Sequence, residues 1–354
     1  MPHFTHDQLH KITRAIFEVT GVPAAEAAIV ADSLVDANLC GHDSHGAVRI
    51  PQYVGFIRDG DIATGVPLKI DSETETTAVI DGGWGFGQVQ SRRMTEVAMN
   101  KARNAGVAVV TLHHCNHIGR VGEYLERVAR AGFVAFAAVN NHGSGRSTAP
   151  YGGWEPRLAT NPITFAAPVA DGDPVVLDIT TSVTAEGKIR VRRNKGEPVP
   201  EGWIIDNQGN FTTDANDFYT DPRGAIMPFG GEVAHKGFGL SMMVDILVGA
   251  LGSGGCSRPE ANRLGNAFFL TVIDPARFNG ADYCRRQVAD LIAWCKSSRK
   301  LPGVEEILVP GEPEARCRKH RLEHGIEIDA ETWRQIEETA KGVGAKIDVP
   351  AAQS

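Results

Sequence analysis

The chain has 354 residues, of which 42% are hydrophobic and 22% charged, an ordinary globular composition with length enough for two domains. The formal net charge is -7 and no long basic run occurs, so neither nucleic acid nor an anionic membrane surface is an expected partner. No apolar run reaches the ~20 residues that span a bilayer, and the opening MPHFTHDQLH carries no signal-peptide core.

In chain order, Thr5 is positioned to cap a first helix, with Leu9, Ile12, Ile16 and Val19 at helical spacing and Gly21 at its end. Pro23 suits the first turn of a second helix, striped by Ile29, Val30, Ala31, Leu34 and Val35 and closing near Gly41. The motif Gly41-His42-Asp43-Ser44-His45-Gly46 follows in a loop, and a third helix begins near Arg49-Ile50-Pro51. From about Thr76 the pattern changes. Thr77–Asp81 reads as a strand, Gly82–Gly85 as a Gly-rich turn, and residues 90–104 as a helix ended by Gly106. Val107–Leu112 and Phe133–Val139 read as buried strands. Between them lie a loop over His113–Gly119 and a helix carrying Val121, Tyr124, Leu125 and Val128. This alternation argues for an α/β domain.

Ile163–Val169 and Val175–Ile179 read as two further strands joined by an Asp171-Gly172 hairpin. Arg192–Phe218, rich in Gly, Pro, Asn and Asp, reads as a long surface excursion. Phe238–Leu251 reads as a buried helix, Ala267–Ile273 as a strand and residues 282–298 as an amphipathic helix. A last helix runs from Asp329 to Gly342, and the final twelve residues read as a tail. Cys40, Cys115, Cys256, Cys284, Cys295 and Cys317 form no CxxC pair and read as reduced thiols of a cytoplasmic protein.

Three histidine-glycine stations carry the chemistry: Ser44-His45-Gly46, Asn116-His117-Ile118-Gly119 and His235-Lys236-Gly237. Imidazole titrates near neutrality and is suited to moving one proton. A Lys-Gly step brings positive charge and bare backbone to a phosphate. Yet GxGxxG and GxxxxGK[ST] are both absent: Gly85-Phe86-Gly87-Gln88-Val89-Gln90 follows a strand but lacks the third glycine. There is no GxSxG elbow. His113 and His117 have i, i+4 spacing, but they follow a strand and no glutamate lies between them as in HExxH, so no metal site is expected. Ser44 and His45 are adjacent and are not expected to pair. Arg49, four residues on, should point back towards His45, and its guanidinium fork suits a carboxylate. Asp178 reads as a turn cap or as an orienting carboxylate for a histidine. Thr180–Gly187 with Lys188 reads as a capped helix start or as a diphosphate cradle. Asp245, inside the apolar 238–251 segment, reads as a structural partner.

Together these segments resemble the malate/L-lactate dehydrogenase type-2 family, which includes ureidoglycolate, sulfolactate and diketogulonate dehydrogenases and cyclic imino acid reductases. The matching stretches are Gly41–Arg49, Asn116–Gly119, Thr160-Asn161-Pro162, Leu177–Ser182, Gly187-Lys188 and His235–Leu240, in the family's order. The resemblance implies a non-Rossmann α/β (α+β) fold. Its mixed, largely antiparallel sheet domain, over residues 76–299, would bind NAD or NADP. A helical, substrate-side domain would be built from both chain ends, residues 1–75 with about 300–354. It also implies a homodimer. His45, His117 and Asp178 become the catalytic candidates, with Asp178 orienting His45. Ser44 and Arg49 would hold the substrate carboxylate. Ile179, Thr180, Thr181, Ser182, Val183, Thr184, Lys188, His235, Lys236, Gly311, Glu312 and Pro313 would line the cofactor. Asn140-Asn141-His142 departs from the pattern where members differ by substrate, which makes Asn141 and His142 candidates for substrate contact.

The implied reaction is hydride transfer between nicotinamide and a small 2-hydroxy/2-oxo carboxylate. The alternatives are reduction of a cyclic imino acid, and a non-catalytic metabolite-binding protein. The intact histidines, Asp178 and Arg49 weigh against the latter. Arg190, Arg192, Arg193 and Lys195 read as a solvated basic loop rather than a 2′-phosphate site.

Overall fold

The computed structural model describes residues 2–347. Met1 and residues 348–354, which include most of the expected tail, lie outside the described residues, as do the side chains of Asn194 and Lys195. Strand β1 (His3–Phe4) leads into α1 (His6–Val19). Helix α1 opens on a capping box: Thr5 Oγ1 accepts the Gln8 N–H and Gln8 Oε1 accepts the Thr5 N–H. Pro23 stands at the cap position of α2 (Ala24–Leu39), one residue outside the first turn in which it was expected. Two short 3₁₀ turns, Asp43–His45 and Ala47–Arg49, join α2 to α3 (Ile50–Arg58).

The central part alternates strands and helices: β2 (Lys69–Glu73), β3 (Thr77–Gly85), α4 (Gly87–Ala105), β4 (Val107–Cys115), α5 (Gly122–Arg130), β5 (Val134–Asn140), β6 (Ile163–Ala167), β7 (Val175–Ile179) and α6 (Glu186–Lys195). Short strands β8 (Ile204–Ile205), β9 (Phe211–Thr212) and β10 (Ala225–Ile226) follow. Helix α7 (His235–Asp245) runs into one π turn, Ile246–Ala250. The chain closes with β11 (Asn266–Ile273), α8 (Ala281–Lys296), α9 (Glu312–His324), β12 (Ile326–Glu327) and α10 (Ala330–Val343).

Seven strands form one mixed sheet in the order β2-β3-β4-β11-β5-β6-β7. Only β3 and β4 run parallel, and every other pair in this sheet is antiparallel. A doubly wound nucleotide-binding sheet is parallel throughout its switch point, so this topology is a different solution. One face of the sheet is sealed by α4 and α5 over Ile80, Val110, Leu112, Tyr124, Phe268 and Leu270, and the other by α7 and its π turn over Ala138, Val244, Val248 and Phe269. A separate helical core joins both chain ends: Phe4, Leu9, Ile16, Leu34 and Tyr53 pack with Ile326, Trp333 and Ile336.

Several expectations require correction. Gly82–Gly85 is not a turn: β3 continues through it, with its pairing to β4 irregular between Asp81 and Gly85. His113, His114 and Cys115 belong to β4, because Cys115 still pairs with Asn266 of β11. The segment 192–218 is not a bare excursion. It ends α6, contributes to the β10-β8-β9 sheet and buries Val199, Ile204, Ala215 and Phe218 against Ile189. The 238–251 helix is buried on one side only, with Leu240, Met243, Ile246 and Leu251 facing outward. Helix α9 had no apolar periodicity to announce it, and none of its residues is buried.

Candidate active site

The Ser44–Arg49 loop and the loop after β4 meet above the helical core. His45 and His117 lie face to face, with ring centroids 5.5 Å apart and planes 15° from parallel. Ser44 Oγ is 3.1 Å from His45 Nδ1, so the adjacent pair does couple, contrary to expectation; the 3₁₀ turn folds the hydroxyl back onto the ring. Arg49 returns to the same loop as expected. Its Nε donates to the Ser44 carbonyl at 2.7 Å and its Nη1 to Gln52 Oε1 at 2.7 Å.

His117 is fixed from below. Tyr53 Oη lies 2.6 Å from its Nδ1, and Gln88 Nε2 donates to Tyr53 Oη at 2.8 Å. Since Gln88 donates, the Tyr53 O–H is free to donate to Nδ1, which places the proton of the neutral ring on Nε2. Burial pushes the Tyr53 phenol up to about 12, so it stays a donor. Tyr53 is held by Phe17 and Phe86, at centroid distances of 6.5 and 6.2 Å, and burial of each such aromatic stabilises by about 1.5–3 kcal/mol. The loop itself is clamped. Asn116 Oδ1 accepts the His117 N–H at 2.7 Å, Asn266 Oδ1 accepts the Ile118 N–H at 3.0 Å, and Tyr124 Oη donates to the Ile118 carbonyl.

Electrostatics keep both imidazoles neutral. Burial first, and then the Arg49 charge, bring His45 down to about 3, with His42, Arg120 and Lys188 adding to the positive field. Burial and Arg49 likewise hold His117 well below 6.5. The arrangement is a pair of neutral proton carriers in a field that attracts an anion.

The cofactor candidates trace a path along edge strand β7. At its far end Thr181 N donates to the Thr160 carbonyl and Phe229 N to the Thr181 carbonyl. Gly237 packs against Phe229 so closely that a Cβ would lie 2.2 Å from its carbonyl oxygen, which brings His235 and Lys236, exposed in the first turn of α7, alongside. A Cβ on Gly187 would meet the Ser44 Cβ at 3.1 Å, so the start of α6, with Lys188, abuts the histidine loop. Val183 N donates to the Met227 carbonyl. At the near end Val176 N donates to the Pro310 carbonyl, beside Gly311, Glu312 and Pro313. The two ends are separated by the five residues of β7, roughly 17 Å at ~3.3 Å per residue.

The hydroxyls expected to hold a diphosphate mostly serve the turn itself. Thr180 Oγ1 donates to the Ser182 carbonyl, Thr181 Oγ1 to Asn161 and Ser182 Oγ to Thr184. Thr184 Oγ1 is the exception, buried with no partner.

Residues 4–337 match the malate/L-lactate dehydrogenase family. The chain belongs to that family. An L-lactate dehydrogenase of Cupriavidus necator is 36% identical over 346 residues, covering 97% of each chain. The malate dehydrogenase of Pyrococcus horikoshii OT3 superimposes with a TM-score of 0.88 at 35% identity, over 98% of this chain and 97% of that one. A delta1-piperideine-2-carboxylate reductase from Pseudomonas syringae pvar. tomato superimposes at 0.83 with 29% identity, over 96% and 100%.

Against this family background two site expectations change. Asp178 does not meet His45. Its carboxylate accepts the Gly122 N–H at 2.7 Å and the Thr164 hydroxyl at 2.9 Å, so it caps α5 and anchors the end of the His117 loop. His142 is not a free substrate donor: its Nδ1 lies 2.9 Å from the Gly254 carbonyl, and its Nε2 accepts the His114 N–H at 3.1 Å. Burial brings it down to about 4, a neutral structural ring. Asn141 Oδ1 is likewise taken by Asn266 Nδ2 at 2.8 Å. Sequence reasoning missed Tyr53 and Gln88. Tyr53 carried a signal, standing four residues after Arg49 on one helix face; Gln88 carried none.

Proposed function

We propose that this family member is an NAD(P)-dependent oxidoreductase of small 2-hydroxy/2-oxo carboxylates. The observation that carries the reading is the stacked neutral pair His45/His117, with the Arg49 charge acting on both rings. The unpartnered Thr184 hydroxyl, with Lys188 in the first turn of α6 and His235 and Lys236 in that of α7, fits a dinucleotide along β7. When bound, the nicotinamide supplies the two-electron acceptor or donor, at C4. Arg49 and Ser44 hold the substrate carboxylate, presenting C2 for hydride transfer. During oxidation a histidine Nε2 takes the hydroxyl proton as hydride leaves C2, giving the 2-oxo acid, and in reduction the proton returns; in His117 this uses the tautomer with hydrogen on Nδ1, which donates to Tyr53 while Tyr53 donates to Oε1 of a flipped Gln88 amide.

The resemblance paired Asp178 with His45, a pairing that would make His45 the acid/base. With Asp178 engaged elsewhere, the Tyr53–Gln88 chain makes His117 the acid/base and His45 the group that hydrogen-bonds substrate. Asp178 acts as a positioning residue through α5.

The second reading, reduction of a cyclic imine carboxylate, draws on the likeness to the piperideine-2-carboxylate reductase. Absorbance of NAD(P)H with a panel of 2-oxo acids and cyclic imino acids, run with both cofactors, separates the two. Turnover of imines alone selects the second reading, and turnover of neither class sinks both. The cofactor choice stays with this assay, because Arg190 is paired with Glu186, Arg192 donates to the Pro198 carbonyl and Arg193 to Asn216 Oδ1.

The same reading takes residues 1–75 with about 300–354 as the substrate-side unit and 76–299 as the cofactor-binding unit. It also includes a homodimer, supported by the outward apolar residues of α7 and by Trp294 on α8, 76% exposed. Light scattering at a monomer mass would remove that part. The six free cysteines fit a reducing cytoplasm, and no described helix is long and apolar enough to cross a membrane.

A further inference from the structure

A second polar cluster lies on the far side of β3 and β4, outside the histidine pair described above. The parallel register sets Asp81 beside His113. Their neighbours Ile80 and Leu112 point into the α4/α5 core, so alternation sends Asp81 and His113 to the opposite face. His114 should then point back to the core. Instead its backbone takes φ 50°, the left-handed region that a histidine rarely adopts. Its ring ends 4.5 Å from that of His113, at 69°. One ligand atom from each of Asp81, His113 and His114 lies within 4.8 Å of the others. Asp81 Oδ1 is 3.3 Å from His114 Nδ1, and Asp71, at the bulge of β2, places Oδ2 3.4 Å from His113 Nε2.

A second observation points to a ligand. The His113 side chain is only 7% exposed, and its Nδ1 has no hydrogen-bond partner. An unpartnered polar atom at that depth is costly, and neighbouring secondary structure does nothing to offset it. A strained backbone and an unpaired buried nitrogen at one spot are the marks of a site that something else completes.

We propose that Asp81, His113 (through Nδ1) and His114 bind one divalent cation of the zinc class, with water as the fourth ligand and Asp71 accepting from His113 Nε2–H behind the ring. Two imidazoles and a carboxylate suit Zn²⁺, Co²⁺ or Ni²⁺ rather than Mg²⁺ or Ca²⁺, which take oxygen alone. Bonds of ~2.1 Å in a tetrahedron set ligand atoms ~3.4 Å apart. The three ligand atoms, which lie within 4.8 Å of one another, draw in by rotation of the His114 ring, which is 42% exposed. Lys69 Nζ, 2.7 Å from Asp71 Oδ1, leaves the second oxygen of that carboxylate for His113 Nε2–H, which fixes the ring with Nδ1 towards the ion. Such an ion staples β3 to β4, with β2 joined through Asp71 and His113, and the last residue of β4 precedes the His117 loop. Its role is to brace that loop from the other side of the sheet, not to take part in the reaction.

The test uses the full chain, dialysed against chelator and titrated with Co²⁺ while the visible spectrum is recorded. The expected result is one Co²⁺ per chain with weak d–d bands, no thiolate charge transfer, and a raised Tm. His114→Gln, chosen because the ring is half-exposed, and Asp81→Asn should each weaken binding at least about 10-fold, the lower limit for loss of even an outer-shell partner. Circular dichroism identical to wild type verifies that both variants are folded. Absence of saturable uptake, thiolate bands, or uptake unchanged in both variants would overturn the proposal.

Discussion

The Tyr53→Phe variant tests the chain that makes His117 the proton carrier. The substitution keeps the ring packed between Phe17 and Phe86 and removes one oxygen, the atom 2.6 Å from His117 Nδ1 and 2.8 Å from Gln88 Nε2. When His117 takes a proton, Nδ1–H must donate to Tyr53, which then passes its own hydrogen to Gln88. Gln88 Oε1 has no partner at present, so a flip of the amide accommodates the reversal. A hydrogen bond to a charged group is worth about 1.5–3 kcal/mol. At ~1.36 kcal/mol per decade, its loss slows turnover about 10- to 150-fold. His117→Asn should lose more, roughly 10²–10⁴, because the proton carrier itself is gone. The bond favours imidazolium, so the acid limb of kcat/KM should also move down by about one pH unit in Tyr53→Phe, the equivalent of ~1.36 kcal/mol. Steady-state kinetics across pH, with Tm recorded separately, reads both effects. A folded Tyr53→Phe with turnover within twofold of wild type and an unmoved pH profile would refute this reasoning and return the role to His45.

Arg49→Lys keeps the charge but loses the planar fork and the contacts to the Ser44 carbonyl and Gln52; KM should rise far more than kcat falls, and an unchanged KM for a carboxylate substrate removes Arg49 from the site. Gly87→Ala places a Cβ 2.3 Å from the Asn116 carbonyl oxygen and 2.4 Å from that of His117; the loop must shift, and a displacement near 1 Å can cost about 10²-fold in kcat, so unaltered kinetics would show that the loop position is not critical. Oxidation needs a neutral imidazole, which is present above its pKa and lost below it. Because burial and Arg49 hold both rings below 6.5, kcat/KM for oxidation should stay flat as pH falls through 6.5, and an inflection there would contradict the electrostatics.

The periodic elements were legible in the sequence because their signals are local. The Thr5 cap, the Asp171-Gly172 hairpin and the Val175–Ile179 strand each depend on a few neighbouring residues, and each stands where it was expected. What failed depended on distant partners. Gly82–Gly85 reads as a turn by composition, yet β4 is present to pair with it. Helix α9 buries no side chain within the chain and so has no apolar stripe. The site shows the same division. His45, His117, Arg49 and Ser44 were identifiable as a cluster of chemistry-bearing residues. The partner of each imidazole was not, because nothing local tells whether the carboxylate of Asp178 reaches a ring or a helix N-terminus.

That last distinction bears on how the pair can work. Two stacked imidazoles 5.5 Å apart, with Arg49 acting on both, cannot both carry a proton at low cost. A buried carboxylate on either ring would relieve the repulsion permanently and leave a charged histidine waiting in the free protein. Asp178 instead spends its charge on α5, and the histidines remain neutral until something else brings negative charge. In the proposed reaction the substrate carboxylate brings it. Its approach cancels the field of Arg49, lifts the depressed imidazole towards its ordinary range and so makes proton uptake favourable only when a substrate of the right charge is in place. A neutral analogue, lacking that carboxylate, would leave Arg49 unpaired and the imidazoles too weak as bases. On this view Arg49 selects substrate twice, once by its fork and once through the histidines it holds neutral.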